Sequence, residues 1–194
     1  MRRADLEHVI RAAAVVAGED EIVIVGSQAI LGQFPDAPAA LLASLEADLF
    51  PRNNPEKAEK VDGALGDGSQ FHAEFGYYAH GVGPETAKLP GGWEERLVEL
   101  VVPRGPADAG DVRGLCLEVH DLVISKCAAS RDRDWEYVRQ AIAHKLVDVE
   151  ILLARAEELP VSVAERTRVK KMVRGILARV KNAEGWDRAD PEKK

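Results

Sequence analysis

The stretch Glu21-Ile-Val-Ile-Val-Gly-Ser-Gln-Ala-Ile-Leu-Gly32 decides how the chain is read. Glu21 to Val25 is a short β-branched run, the pattern of a strand buried on both faces. It ends at Gly26-Ser27, and Gln28 to Gly32 can open a helix. A glycine at that point lets the backbone turn sharply and come close to a ligand. The N–H groups of a following helix start can hold a phosphate, and the Ser27 hydroxyl adds a donor. The same residues also suit a plain strand-to-helix turn with Ser27 as its cap.

Working outward, Asp5 to Val16 places Leu6, Val9, Ile10, Ala13 and Ala17 at helical steps, with Gly18 as a stop. After a Pro-containing loop, Ser44-Leu-Glu-Ala-Asp-Leu-Phe50 alternates as a strand. Leu45, Ala47 and Leu49 are expected on one face, and Ser44, Glu46 and Asp48 on the other. Pro55 to Leu65 reads as a polar helix. Gly66 to Gly92 reads as a glycine-rich irregular centre holding Gly76-Tyr77-Tyr78 and Gly81-Val-Gly-Pro-Glu-Thr86, a composition more often functional or mobile than filler. Arg96 to Val102 and Leu115 to Val119 read as a third and a fourth strand. From His120 the chain is helical, with helices expected from Asp132 to His144, from Val147 to Glu157, and after Pro160. The last of these is expected to bury Val169, Met172, Val173, Ile176, Leu177 and Val180.

This order predicts an α+β fold with α/β character: a small mixed sheet flanked by helices over residues 1–119, then a helical region over 120–194. The chain has 194 residues, 46% hydrophobic and 30% charged, the mixture of a globular protein. No apolar run approaches the ~20 residues of a membrane span, and the charged start does not read as a secretory leader. Cys116 and Cys127 form neither a disulfide scaffold nor a Cys-x-x-Cys zinc pair, so a reducing cytoplasm is the expected compartment. The net charge is -7, yet Val163 to Ala183 holds seven basic residues and one acid. That helix is where a polyanion would meet this chain, although a solvated helix face explains it equally simply.

Three features carry chemistry. Gly26-Ser27 is the first. The second is Glu46-Ala-Asp48, two carboxylates on one side of a strand with Cβ atoms ~7 Å apart. That pairing suits Mg²⁺, which takes carboxylate and phosphate oxygens; it also suits the solvent face of an edge strand. The third is Lys126 with Asp132 and Asp134. Lys126 is able to reach a triphosphate, or else to snorkel or pair with Asp121 or Asp132. His72 and His80 lack a third ligand for a transition metal, one of Tyr77 and Tyr78 is expected in the core, and Trp93 and Trp135 read as core residues.

Together these features resemble the nucleotidyltransferase superfamily, and more closely the small AbiEii-like nucleotidyltransferases of the DUF6036 group. The resemblance rests on Val25-Gly-Ser-Gln-Ala-Ile-Leu-Gly32, Ser44-Leu-Glu-Ala-Asp-Leu49, Gly81-Val-Gly-Pro-Glu-Thr86 and Leu117-Glu-Val-His-Asp-Leu122 with Ser125-Lys126, and covers about Glu21 to Val147. It implies Gly26, Ser27 and Lys126 as nucleotide-binding residues, Glu46 and Asp48 as the Mg²⁺ pair, and Asp134, with Asp132 as second choice, as the following acid. It implies transfer of a nucleoside monophosphate from a nucleoside triphosphate, an RNA acceptor such as tRNA, and an antitoxin protein as partner. Three departures stand out. Glu46 occupies a place usually held by Asp, 18 residues separate Ser27 from Glu46, and the only place for a third acid is Glu99. These favour, as the alternative, a non-catalytic module of the same fold that binds a nucleotide or a protein.

Overall fold

The computed structural model describes residues 1–105, 110–129 and 131–189, with the side chains of 132, 133 and 183–189 outside the description. Five strands form one mixed sheet: β1 (Glu21–Ile24), β2 (Glu46–Pro51), β3 (Tyr78–Gly81), β4 (Val98–Pro103) and β5 (Asp111–Cys116). Their spatial order is β3-β2-β1-β5-β4. β1 pairs antiparallel with β2, Ile24 opposite Leu49, and parallel with β5, Ile24 opposite Cys116. β3 runs parallel to β2, and β4 antiparallel to β5. Ile22, Val23 and Ile24 are buried, as the unbroken β-branched run requires of a central strand.

Contacts divide the chain into two compact units, one of Met1–Ala87 with Gly92–Leu122 and the other of Lys88–Gly91 with the chain from Val123 onward. In the first unit, α1 (Arg3–Ala17) buries Leu6, Val9, Ile10, Ala13 and Ala17 and ends at Gly18. A 3₁₀ turn (Ser27–Ala29) and the short α2 (Ile30–Gln33) follow β1. α3 (Ala58–Leu65) and α4 (Gln70–Phe75) stand between β2 and β3. His8 of α1 packs edge-on against Phe75 at 4.6 Å and lies 2.8 Å, through Nδ1, from the Tyr77 hydroxyl, which ties α4 to α1.

Two polar clamps hold the loops of this unit. Glu19 accepts from the Asn53 N–H at 3.3 Å, from Lys57 Nζ at 3.1 Å and from the Asn54 amide, fixing the chain after β2. Where α5 (Val119–Ala129) begins, Glu118 accepts the His120 N–H at 3.0 Å, and Asp121 is 0% exposed. Arg96 grips Asp121 as a fork, Nε to Oδ2 at 2.8 Å and Nη2 to Oδ1 at 3.1 Å.

The second unit holds α6 (Asp132–Ala143), α7 (Val149–Glu157) and α8 (Val163–Ala189). Asp148 caps α7 by accepting from the Glu150 and Ile151 N–H groups. α8 buries Val169, Met172, Val173, Ile176 and Val180, while Leu177 is half-buried. Cys116 and Cys127 are buried and not joined in a disulfide, and burial pushes both thiols up to about 12. Among the described residues no helix is long and apolar enough to cross a membrane.

The α+β class agrees with the sequence. Several details differ. Gly66 to Gly92 contains α4 and β3, not only loop. The strand expected at Leu115–Val119 lies at Asp111–Cys116, and Val119 begins a helix. Leu45 is 53% exposed because β2 starts two residues later than expected, at Glu46, after a bend in which Ser44 Oγ accepts the Glu46 N–H. Trp135 is 37% exposed and is not a core residue.

Two outcomes follow from the clamps. Arg96→Met leaves the buried Asp121 carboxylate without its fork and is expected to cost about 3–5 kcal/mol in urea unfolding. For Glu19, burial alone raises the carboxyl pKa, but hydrogen bonds from Asn54, Lys57 and the Asn53 N–H outweigh it and leave the pKa below its ordinary value. The stability that Glu19 contributes is therefore complete above the unfolded carboxylate range, near ~4.3, and is lost as pH falls through the folded value. Urea titrations from neutral pH downward should show Glu19→Gln less stable at pH 7, with the gap to the parent closing in acid.

Candidate active site

The site is built on the β1–β2 pairing. The Val25 N–H donates to the Asp48 carbonyl at 3.0 Å, which extends the antiparallel ladder past Ile24. The next residue, Gly26, then lies directly against the Asp48 side chain. A Cβ placed on Gly26 would stand 1.8 Å from Asp48 Oδ2 and 2.6 Å from its Cγ. Gly26 has an ordinary extended backbone, φ -79 and ψ -167, so glycine is required here by close approach and not by conformation. Ser27 follows at once and opens the 3₁₀ turn.

Glu46 and Asp48 share one face of β2, and both are half-buried, while Ala47 and Leu49 between and beyond them are buried. β3 supplies a partner to each. Glu46 is in register with Tyr78, and Asp48 with His80. The Tyr78 hydroxyl donates to Glu46 Oε2 at 3.2 Å. His80 Nδ1 lies 2.8 Å from Asp48 Oδ1, with the ring as donor because an ionised carboxylate only accepts. Burial and the Glu46 charge raise the Tyr78 pKa, which keeps that hydroxyl protonated and donating. His72 packs against the Tyr78 ring in a tilted arrangement, centroids 4.6 Å apart.

Tyr78 and His80, read from the sequence as a core candidate and an incomplete metal pair, are therefore partners of the two carboxylates. Their signal was present as a spacing: Tyr78-Ala-His80 repeats the i, i+2 step of Glu46-Ala-Asp48, and on parallel neighbouring strands equal steps bring side chains onto one face. Glu99, the sequence candidate for a third acid, lies on β4, with β1 and β5 between that strand and β2. It is not a neighbour of the carboxylate pair.

The donor set is two carboxylates on one strand face beside the Gly26–Ser27 bend. Each carboxylate keeps lone pairs beyond the one bonded to Tyr78 or His80. Hard oxygen donors of this kind suit Mg²⁺, which needs one or two carboxylates and completes its shell with water and phosphate oxygens. Among the described residues no cluster of three or more His, Cys, Asp or Glu side chains is placed to hold a metal by itself. Glu46 and Asp48 are the residues that could hold the ion.

One further polar group lies beside this bend. Gln28, directly after Ser27, is fully buried, and its Oε1 and Nε2 find no partner among the described residues. A buried amide in that condition destabilises the fold, and native chains carry such groups where something other than packing needs them.

The remaining sequence candidates belong to the second unit. Lys126 Nζ lies 3.3 Å from Asp134 Oδ1, and both groups are mostly buried. Lys126 also stands over the Tyr137 ring, 4.6 Å from its centroid. Of the partners expected for Lys126, Asp121 is held by Arg96, and the side chain of Asp132 lies outside the described residues. Asp134 takes that place. The pair gives an ammonium held in one position by a carboxylate and an aromatic face.

Gly26→Ala should test the close approach directly. The added methyl must push the Asp48 carboxylate away and break its bond to His80, so the His80 ring ¹⁵N shifts are expected to move and stability to fall by about 1–3 kcal/mol. Unchanged shifts and an unchanged melting curve would remove the contact from the site.

A family model described as a nucleotidyltransferase of unknown function (DUF6036) matches residues 4–184. No curated protein and no solved structure matches the chain.

Proposed function

The chain belongs to the DUF6036 nucleotidyltransferase family, and on that premise we propose that it moves a nucleoside monophosphate from a nucleoside triphosphate to an acceptor hydroxyl, with Mg²⁺ as its cofactor. The observation that carries this reading is the contact of Gly26 with the Asp48 carboxylate. It puts a backbone bend with a serine hydroxyl beside paired acids, which is what a polyphosphate and its cation need from a protein.

In this reading Glu46 and Asp48 hold the cation. The ion, when bound, neutralises phosphate oxygens and stabilises the charge that develops as the α-phosphorus is attacked. The protein's own residues position the rest. The Gly26 backbone and Ser27 hold the outer phosphates of the nucleotide. Tyr78 keeps the Glu46 carboxylate turned to its working face, and His80 does the same for Asp48. The family resemblance assigns Lys126 as the cation for the triphosphate, and Asp134 holds its ammonium. The nucleotide is brought into line for attack, and most of the rate gain is positioning and electrostatics. The acceptor hydroxyl gives up its proton as the new phosphate ester forms, and pyrophosphate leaves with the electrons of the broken bond.

The finer reading follows the AbiEii-like resemblance: RNA, tRNA among it, as acceptor, and a toxin whose activity an antitoxin protein holds in check. A second reading has one observation in its favour. Both carboxylates already accept a hydrogen bond from within the protein, an arrangement that a non-catalytic nucleotide-binding module would also keep.

Transfer of label from an α-labelled nucleoside triphosphate in the presence of Mg²⁺ decides between them. Asp48→Asn and Glu46→Gln are each expected to lower transfer by two orders of magnitude or more, and Lys126→Ala by about ten-fold to a hundred-fold. Calorimetric binding of the Mg²⁺-nucleotide without any transfer by the parent supports the module. Transfer undiminished in Asp48→Asn removes the metal assignment.

A further inference from the structure

Part of the basic charge of α8 gathers at one groove. Lys170 pairs with Glu157 of α7, and the Arg166 guanidinium donates to the Leu159 carbonyl, in the turn after α7, at 3.0 Å. Arg168, Lys171 and Arg179 instead line one groove of about 410 Å³ together with Trp135 of α6 and Met172, Gly175 and Ile176. These α8 positions follow steps of three, four and eight residues and so form a single stripe. From Arg168 to Arg179 the stripe runs ~16 Å along the helix axis. The floor is apolar and open: a Cβ on Gly175 would meet nothing within 4 Å, and the indole of Trp135 is 37% exposed.

We propose that this groove binds a single nucleic-acid strand, with one base stacked on Trp135 and successive phosphates along Arg168, Lys171 and Arg179. An exposed indole beside a line of cations is the combination that takes up single strands, because every base has a π-face and every step a phosphate. The length argues for a strand over one nucleotide: at ~3.4 Å per phosphate along a stacked strand, the stripe spans several. Charge complementarity points the same way, since α8 is the basic segment of a chain whose net charge is -7. Trp135 and Met172 also wall a small closed recess at Lys126 and Asp134 within the second unit. Binding here does not depend on nucleotidyl transfer and is read without any triphosphate.

The test is fluorescence anisotropy of labelled homopolymer strands of about twelve nucleotides, a length within the range one such groove occupies, as RNA and as DNA, over a salt series. Trp135→Leu is expected to weaken binding by about five-fold to a hundred-fold, the contribution of one stacked base. Gly175→Leu fills open space on a helix that favours leucine over glycine, so it keeps the fold and should weaken binding as well. Lys171→Glu with Arg179→Glu should reduce the slope of log K against log salt by about 1.4, two single-strand phosphate contacts. Lys60→Glu, an exposed cation of the first unit, should bind as the parent does. Tighter binding of RNA assigns a contact to the 2′-hydroxyl, and equal binding assigns the groove to strands of either sugar; each supports the proposal. Absence of strand binding at low salt overturns it, as does binding that Trp135→Leu and Gly175→Leu leave unchanged. Displacement of the strand by polyglutamate, with no effect of Trp135→Leu, assigns the groove to an acidic protein instead and also overturns it. Loss of label transfer with strand binding intact, or the reverse, separates this site from the transfer reading.

Discussion

The register between β1 and β2 is the constraint on which the first unit depends. One hydrogen bond past the regular ladder, from the Val25 N–H to the Asp48 carbonyl, sets Gly26 opposite the Asp48 side chain. A slip of one residue would turn Glu46 and Asp48 toward the core and bring Ala47 and Leu49 to the surface. The burial of Ala47 and Leu49 against the helices therefore holds the carboxylates outward as firmly as any polar contact does. Core packing and site geometry are one requirement here. The buried Ile22–Ile24 run of β1 anchors both.

β3 adds the second layer of organisation. It runs parallel to β2, so its alternate residues meet the two acids side by side, tyrosine on glutamate and histidine on aspartate. Two unpartnered carboxylates two residues apart repel each other and wander among rotamers. A hydroxyl and an imidazole that each donate one hydrogen bond lessen both problems, and they leave further lone pairs on each carboxylate. The Gly26 contact closes the other side. Asp48 is thus bounded by a ring, a backbone and its own strand, and its orientation is set before any ligand arrives.

Much of this was legible in the residues. α1, β1 and the helices after His120 announced themselves through strong period, and the Gly-Ser bend with the Glu-x-Asp step pointed to the site. The misses have physical causes. β3 is a four-residue edge strand with a histidine exposed and a glycine at its end, so it shows almost no alternation. β5 was displaced in the reading because Gly114 contributes no side chain to the pattern; Ile10 Cδ1 occupies the space a Cβ would need there. Leu117 and Val119 supplied apolar character beyond the strand, where the chain already turns into α5. Trp135 looked like core because indoles usually are, and only the packing of α6 on α8 shows its face left open. The Tyr78 and His80 partnership needed the parallel register, which no local pattern contains. The pairing of Lys126 with Asp134, eight residues apart across a helix break, needed the fold as well.

The buried state of Cys116 and Cys127 has a practical side. Alkylating and disulfide-exchange reagents act on the thiolate, and a thiol held near 12 inside the core offers almost none of it at neutral pH. The native chain is in effect silent to maleimides and methanethiosulfonates while folded. A single cysteine introduced at a surface position becomes its sole reactive handle, so spin labels and fluorophores can be attached one at a time without first stripping out the natural sulfurs.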